Sequence, residues 1–343
     1  MGLFSLFTRE IAIDLGTANT VILHDNKVVV DEPSIIAINS RTKSVVAVGK
    51  KALMMEGKTG DSGETYTVRP LRNGVIADFQ PTELMLREFI KMTNTKHSFI
   101  TPAMKMIICI PSGITEVEER AVRESAEQAG AKEVRLIYEP MAAAIGSGID
   151  VLGANGNMII DIGGGTSEVA VIALGNIASK KSGQVAGDKL NADIKDFMRR
   201  EHNLDIGIPT AEQIKINVGA AVTHLDNPPK DYEVYGRDLV HGIPRSIVIN
   251  YQEIATALNN SINSIEDAVM QALNVTPPEL SADIFKTGIY LAGGGSLLRG
   301  LDKRINKITQ LPVHVVDDPL RAVARGTAIA LKNIEKFESL TKY

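Results

Sequence analysis

EIAIDLGTANTVIL (residues 10–23) and MIIDIGGGTSEVAVI (residues 158–172) are two stretches of this chain with one shared pattern. In each, a run of mostly β-branched residues reaches an aspartate, Asp14 or Asp161. A glycine turn carrying hydroxyl side chains follows, and then a second apolar run. Apolar runs separated by a short glycine-containing turn predict a β-hairpin. The sequence therefore predicts the same hairpin twice, in two parts of one chain.

The chemistry of such a hairpin suits a phosphate group. A turn built from glycine and small residues exposes backbone N–H groups that bind anions, and phosphate oxygens can approach it closely. The aspartate at the strand end can hold Mg²⁺, which keeps much of its water and bridges to phosphate oxygens. For either copy alone, a plain glycine turn is the competing interpretation, because Asp-x-Gly is common in turns. The matched pair favours two hairpins that grip one polyphosphate.

Composition limits the classes of protein that remain. The 343 residues are 44% hydrophobic and 23% charged, which is enough for two ordinary globular domains. A net charge of −4 and an aromatic content of 4% argue against nucleic acid as a partner. The single cysteine, Cys109, lies in the apolar run MKMIICIP and is predicted to be a buried core residue in a reducing compartment. No secretory signal or spanning segment is recognisable, so a cytoplasmic location is predicted.

Helix signals mark both parts of the chain. In TEVEERAVRESAEQAG, Thr115 and Glu118 have the spacing of a capping box, and Thr210 and Gln213 have it in TAEQIKINVGAA. From residue 157 the order of strands and helices repeats, which predicts α/β order in each part. A further helix, PTELMLREFIKM, is predicted to turn one side toward the core, with Leu84, Met85, Phe89 and Met92 on that side.

A third glycine cluster lies in GIYLAGGGSLLRG, residues 288–300. The pattern predicts a strand that runs into Gly293, Gly294 and Gly295 and then a helix. Glycines at a helix N-terminus attract anions or the ribose of a nucleotide. The glycine spacing differs from that of a dinucleotide-binding fingerprint, and alone this cluster is weak evidence.

Taken in order, these motifs resemble the actin, sugar-kinase and heat-shock-chaperone ATPase superfamily. IAIDLGTANT is similar to its first phosphate loop, IIDIGGGTSEVAV to the second and IYLAGGGSLLRG to its adenosine loop. Within the superfamily the chain resembles the MreB family of bacterial actins, through YEPMAAAIGSG, VAGDKLNADI, TAEQIKINVG and TPPELSADIFKTGIYLAGGGSLLRGLD. The similar motifs span residues 10 to about 330.

The resemblance implies an α/β, actin-like ATPase fold: two duplicated, ribonuclease H-like domains with four subdomains around a nucleotide cleft. It places domain I at residues 1–146 plus 318–343, with subdomain IB at about 32–73. Domain II is placed at residues 147–317, with subdomain IIB at about 183–250.

The resemblance also implies a site for ATP or ADP with Mg²⁺. The metal residues would be Asp14 and Asp161, and the catalytic ones Glu139, which would orient the attacking water, with Thr166 and Ser167. The nucleotide would contact Gly16, Thr17, Ala18, Asn19, Gly163, Gly164, Gly165, Gly187, Asp188, Glu212, Lys215, Gly293, Gly294, Gly295 and Ser296. Two alternatives stay open: Glu139 could only complement a helix dipole, and Glu212 with Lys215 could be an ordinary surface ion pair.

Three classes of protein share this nucleotide site. A kinase needs a pocket for its acceptor and a chaperone needs a domain for its client, and the sequence shows neither. The resemblance therefore favours a filament that slowly hydrolyses ATP and organises cell-wall synthesis in a rod-shaped cell; a monomeric ATPase of the chaperone or kinase type is the alternative. The implied partners are further copies of the chain in paired antiparallel protofilaments, inner-membrane lipid and membrane proteins of cell-wall elongation.

Membrane contact is predicted at two apolar segments. One is GLFSLF near the N-terminus and the other is the loop KHSFITP. A strand-adding or frayed terminus is the alternative for the first. Each buried side chain contributes at most about 1.5–3 kcal/mol, so a filament would bind far better than one subunit. The predicted contacts are Leu3, Phe4, Leu6, Phe7, Phe99 and Ile100.

Overall fold

The computed structural model describes residues 8–58, 63–93 and 103–343 of the chain. These residues form two compact units. The first unit takes in the described residues up to Ala154 together with Ile172–Ile177 and Leu320–Tyr343, and the second consists of Asn155–Val171 and Ala178–Pro319. The domain and subdomain limits drawn from the sequence stay a prediction.

Strands and helices are mixed along the whole described chain. Up to residue 146 they are β1 (Thr8–Leu15), β2 (Asn19–His24), β3 (Lys27–Pro33), β4 (Ile36–Asn39), β5 (Val45–Val48), α1 (Lys50–Leu53), β6 (Thr65–Val68), β7 (Leu71–Arg72), β8 (Val75–Ile76), α2 (Phe79–Met92), β9 (Ala103–Ile110), α3 (Glu116–Gln128), β10 (Glu133–Tyr138) and α4 (Glu139–Gly146). From residue 157 they are β11 (Asn157–Ile162), β12 (Ser167–Ala173), β13 (Asn176–Gly183), α5 (Gly187–His202), β14 (Leu204–Asp205), α6 (Ile208–Val218), β15 (Tyr232–Asp238), β16 (Pro244–Ile249), α7 (Tyr251–Asn274), α8 (Pro278–Thr287), β17 (Ile289–Ala292), α9 (Leu301–Thr309), β18 (Val313–Val315), α10 (Ala322–Lys332) and β19 (Thr341–Lys342).

The two large sheets repeat one strand order. The first runs β19-β10-β9-β1-β2-β3 and the second runs β13-β12-β11-β17-β18. In the first, β1 lies between its hairpin partner β2 and the parallel strand β9, which in turn pairs with the parallel strand β10. In the second, β11 lies between β12 and the parallel strand β17, which pairs with the parallel strand β18. The predicted duplication is therefore visible in the sheets themselves.

Each unit has its own apolar core. In the first, strand residues such as Ile13 and Ile108 pack with Phe89 of α2, and all three are fully buried. In the second, Ile160 of β11 and Ile262 of α7 belong to an equally buried cluster. Burial of one such side chain contributes about 1.5–3 kcal/mol. These cores fix the strands whose ends carry the predicted site.

The predicted core face of α2 is only partly correct. Met85 and Phe89 are fully buried, but Met92 lies in the last turn of the helix and is exposed. Leu86 and Ile90 are buried in addition. Each follows a predicted core residue directly, so the buried stripe is wider than the prediction and stops at Ile90, two residues before the helix ends.

The two predicted capping boxes have different outcomes. Before α3, Thr115 and Glu118 make both reciprocal bonds of the motif, as predicted. The prediction for Thr210 is wrong, because α6 begins at Ile208 with Gly207 at the N-cap and has no side-chain cap. Pro209 lies in its first turn, where the fixed φ of proline suits a helix start, so Thr210 falls inside the helix.

The segment after the third glycine cluster also differs from the prediction. Gly294–Leu297 form one turn of 3₁₀-helix, and the α-helix begins only at Leu301.

None of the helices in the described ranges is long and apolar enough to cross a membrane.

Candidate functional site

The first hairpin, β1–β2 with its turn at residues 16–18, is held by groups that come later in the chain. Ser34 donates through Oγ to the carbonyl of Gly16 (2.6 Å) and through its backbone N–H to the carbonyl of Ala18 (2.9 Å). The backbone N–H of Gly74 donates to Oγ1 of Thr17 (2.8 Å). These three bonds fix the turn, and the next residue, Asn19, is exposed at the start of β2.

Asp14 is the penultimate residue of β1. Its register partner on β9 is Cys109, whose Sγ donates a hydrogen bond to Oδ1 of Asp14 (3.1 Å). Burial raises the pKa of Asp14 to about 6; the thiol bond opposes that rise and the charge of Asp31 adds to it. A carboxylate held in so poorly solvated a place gains from a nearby cation.

Glu139 lies at the same end of the first sheet. It is the first residue of α4, directly after β10, and is buried. Burial raises the pKa of the Cys109 thiol well above its usual value, and the charges of Asp14 and Glu139 raise it further. Cys109 therefore stays protonated as a donor. The structure thus brings two of the predicted site residues, Asp14 and Glu139, to one buried thiol at the carboxyl ends of β1, β9 and β10.

The second hairpin, β11–β12 with its turn at residues 163–166, is fixed mainly by backbone hydrogen bonds. Within the turn, the N–H of Gly163 donates to the carbonyl of Thr166 (2.9 Å). The first two residues of α5 then dock on it: Gly187 N–H donates to the carbonyl of Gly163 (3.1 Å) and Asp188 N–H to that of Gly164 (2.8 Å). The turn and the start of α5 are therefore joined by two backbone hydrogen bonds.

Asp161 occupies the same place in β11 that Asp14 occupies in β1. It is buried, and its register partner on β17 is Ala292. The next residue, Gly293, has φ 75°, and a Cβ there would lie 2.4 Å from both Oδ1 of Asp161 and the carbonyl oxygen of Ile162. Only glycine fits this place. The third glycine cluster therefore lies directly against the second hairpin.

Five other predicted residues of this region differ in burial and in the hydrogen bonds that they make. Ser296 is buried and donates through Oγ to the carbonyl of Gly293 (2.7 Å), whereas Gly294 is exposed. Ser167 donates through Oγ to the carbonyl of Val185 (2.5 Å). That proton is committed to the protein itself, so a catalytic role for Ser167 would need this bond to break. Thr166 and Gly165 are buried beside it in the turn.

Glu212 and Lys215 form the predicted pair on α6, with Nζ to Oε2 at 2.8 Å. They are more than a surface ion pair, because Lys215 Nζ also donates to the carbonyl of Gly187 (3.2 Å). Asn191 of α5 donates through Nδ2 to the same Oε2 of Glu212 (2.7 Å) and is almost fully buried. Sequence reasoning missed Asn191. The signal available was its position four residues after Gly187, on the same face of a helix.

The carboxylates of the two predicted metal residues suit Mg²⁺, which does not need a full set of side-chain ligands. Among the residues that the structure describes, no group of three or more His, Cys, Asp or Glu side chains could hold a metal ion. Mg²⁺ typically takes one or two carboxylates and completes its shell with water and phosphate oxygens. The half-buried, hydrogen-bonded carboxyl of Asp14 fits such a role. The predicted membrane contacts Leu3, Phe4, Leu6, Phe7, Phe99 and Ile100 lie outside the described residues.

Comparison with known proteins gives one family. The family model described as MreB/Mbl protein matches residues 8–339. The chain is 45% identical over 332 residues to the cell shape-determining protein Mbl of Bacillus subtilis (strain 168), covering 96% of this chain and 98% of that protein.

Solved structures agree. MreB 5 of Spiroplasma citri bound to AMPPNP has a TM-score of 0.90 and 39% identity, covering 97% of this chain and 98% of that one. The MamK double helical filament has a TM-score of 0.77 at 19% identity, covering 96% and 99%, which shows likeness of fold alone. This chain belongs to the MreB/Mbl family of cell-shape cytoskeletal proteins and has the actin-like fold, so the family, the fold and the general function predicted from its sequence are confirmed.

Proposed function

We propose that this protein binds ATP or ADP with Mg²⁺, hydrolyses ATP slowly and assembles into filaments under control of the bound nucleotide. The observation that carries the proposal is the repeated hairpin. In each copy a penultimate aspartate precedes a short turn of small residues whose conformation is fixed from outside. The related MreB 5 was solved with the ATP analogue AMPPNP, which supports the same class of ligand here.

The proposed site residues have three roles: they would hold the metal, the phosphates or the nucleoside. Asp14 and Asp161 would hold the magnesium ion, which when bound neutralises phosphate charge. The phosphate chain would contact the backbone of the two turns, residues 16–19 and 163–165. The nucleoside would contact Gly187, Asp188, Glu212, Lys215 and Gly293–Ser296. Positioning and charge neutralisation are most of what phosphoryl transfer requires.

Glu139 would orient the water that attacks the terminal phosphate. Its carboxyl is buried directly after β10, and its charge acts on the Cys109 thiol, which donates a hydrogen bond to Asp14. A water held there would lie beside the first hairpin. We include Thr166 and Ser167 as contributors from the second turn, with the Ser167 hydroxyl free to act only after it leaves Val185.

Assembly is proposed to occur on the cytoplasmic face of the inner membrane. The MamK filament shares this fold, which supports self-association without fixing its geometry. Paired antiparallel protofilaments, lipid contact through residues 3–7 and 99–100, and membrane proteins of wall elongation as partners all follow the sequence resemblance. Many weak lipid contacts summed along a filament would give firm attachment.

The test uses the purified chain with Mg²⁺ and either ATP or no nucleotide. We expect ATP binding by calorimetry, slow phosphate release, and filaments by electron microscopy on a lipid monolayer. Glu139→Gln should retain ATP binding and filaments while phosphate release falls at least about tenfold. Asp14→Ala should lose Mg²⁺-dependent binding. Dispersed particles under every condition, with ATP still hydrolysed, would show a monomeric ATPase instead.

A further inference from the structure

Asn191 has the features of a residue that orients a neighbouring polar group rather than one that only fills the core. It is 2% exposed on α5, and its Nδ2 donates to Oε2 of Glu212 (2.7 Å). Its Oδ1 is fully buried and accepts no hydrogen bond from the part of the chain that the structure describes. A buried acceptor without a partner is destabilising. A purely structural position would be better filled by an apolar side chain of similar size.

The bond made by Asn191 fixes one oxygen of Glu212. Lys215 Nζ donates to the same Oε2 (2.8 Å), so both side chains converge on a single carboxylate oxygen. The other oxygen, Oε1, accepts no bond from the described residues, and the Glu212 side chain is 40% exposed. Glu212 is therefore a half-exposed carboxylate whose orientation is set by Asn191 and Lys215 and whose second oxygen is available to a donor.

The hydrogen bonds that connect Glu212 to the phosphate turn indicate which group of a nucleotide would donate to it. Lys215 Nζ bonds both Glu212 and the carbonyl of Gly187, and the N–H of Gly187 bonds the carbonyl of Gly163 in the turn. Glu212 thus lies two hydrogen-bonded steps from Gly187. In a nucleotide, the groups next to the phosphates that can donate to a carboxylate are the ribose hydroxyls, whereas the base is one sugar further away.

We propose that Asn191 is a positioning residue that orients Glu212 to accept a hydrogen bond from a ribose hydroxyl of the nucleotide. The inference rests on the proposed function, because it names how that nucleotide site selects a ribonucleoside. Asn191 itself does not touch the ligand. It acts through Oε2 of Glu212, and its removal frees the carboxylate to rotate.

The experiment measures affinity by calorimetry for Mg²⁺ with ATP and for Mg²⁺ with 2′,3′-dideoxy-ATP, which lacks both hydroxyls. A hydrogen bond to a carboxylate predicts that the natural chain binds ATP at least about tenfold more tightly than the dideoxy form. In Asn191→Ala the ratio should fall below about threefold, through loss of ATP affinity, with affinity for the dideoxy form nearly unchanged.

Two further variants separate positioning from general damage. In Glu212→Ala the ratio should already be low, and adding Asn191→Ala should lower it no further, because the two residues act as one unit. Asn306→Ala removes an amide that bonds only the carbonyl of Leu311 and should keep the full ratio. Should Asn191→Ala fail to fold, Asn191→Leu fills a similar volume without a donor and takes its place.

Failure of the proposed function and failure of the role proposed for Asn191 give different results. If the natural chain binds no ATP, the proposed function is wrong. If it binds ATP but does not discriminate against the dideoxy form, or if Asn191→Ala still discriminates as well as the natural chain, the role of Asn191 is wrong while nucleotide binding stands.

Discussion

The two hairpins have the same strand pattern and are fixed by different means. Side-chain hydrogen bonds fix much of the first hairpin. Ser34 bonds its turn, and Cys109 bonds its aspartate, Asp14. The second relies on backbone bonds from the start of α5 and on the close approach of Gly293 to Asp161. A side-chain bond can be lost and leave the backbone in place. A backbone approach of this kind cannot accept even one methyl group.

This difference predicts that the second hairpin is the more sensitive to small substitutions. The largest expected effect is at Gly293. In Gly293→Ala the new Cβ would meet Oδ1 of Asp161 at 2.4 Å in a backbone with φ 75°. Strain and overpacking together should lower the free energy of unfolding by at least about 3 kcal/mol. Chemical denaturation followed by circular dichroism measures this.

Gly242→Ala is the matched control for that measurement. Gly242 has φ 74°, and a Cβ there would have no atom within 4 Å. Only the backbone cost of about 1–2 kcal/mol should remain. An equal loss in the free energy of unfolding for Gly293→Ala and Gly242→Ala would show that the close contact with Asp161 does not constrain Gly293. The second hairpin would then not be the more sensitive of the two to small substitutions.

The second prediction concerns Asp14 and the pH dependence of stability without metal. Burial raises the pKa of Asp14 to about 6 in the folded chain, from 3.8 for an unperturbed aspartate. Between these values the folded chain holds a proton that the unfolded chain has lost. Stability therefore falls as pH rises from about 4 to 6 and stays reduced above it. Asp14→Asn removes this loss and should raise the free energy of unfolding by about 1–3 kcal/mol at pH 7.5.

The measurement is urea denaturation in a metal chelator from about pH 3.5 to 8, which covers the whole predicted transition. Asp231→Asn serves as the control, because Asp231 is an exposed carboxylate just before β15 and makes no ion pair with any residue that the structure describes. That variant should follow the natural pH profile. If Asp14→Asn follows it too, the carboxyl of Asp14 is solvated and the first hairpin is not a poorly solvated site.

The sequence indicated the hairpins and the family because both depend on local patterns. The two aspartates, the glycine turns and the capping box at Thr115 are each readable within a few residues. The bond from Cys109 to Asp14 is not, because it depends on the register of two parallel strands that are far apart in the chain. Asn191 was missed for a related reason: it bonds Glu212 across two helices, and its own helix looks ordinary.

A third prediction follows from the register partners. Asp14 lies opposite Cys109, which donates to it, and Asp161 lies opposite Ala292, which cannot. Because the thiol bond lowers the pKa of Asp14, Cys109→Ala should move the midpoint of the pH profile upward by up to about one unit and lower stability by about 1 kcal/mol. Cys109→Ser keeps a donor and should hold the midpoint. A midpoint unchanged in Cys109→Ala would mean that the thiol does not influence the carboxyl.

The smallest expected effect compares the helix starts of the two units. Thr115 caps α3 through both bonds of a capping box, whereas Thr210 lies inside α6, behind Pro209. Loss of an N-cap side chain costs about 1 kcal/mol, so Thr115→Ala should lower the free energy of unfolding by that amount. Thr210→Ala should change it by less than about 0.5 kcal/mol, because alanine is the better helix former and no cap is lost. If urea denaturation shows an equal loss in the free energy of unfolding for Thr115→Ala and Thr210→Ala, Thr210 also caps a helix. The start of α6, and with it the alignment of Glu212 and Lys215 on Asn191 and Gly187, would then need to be redrawn.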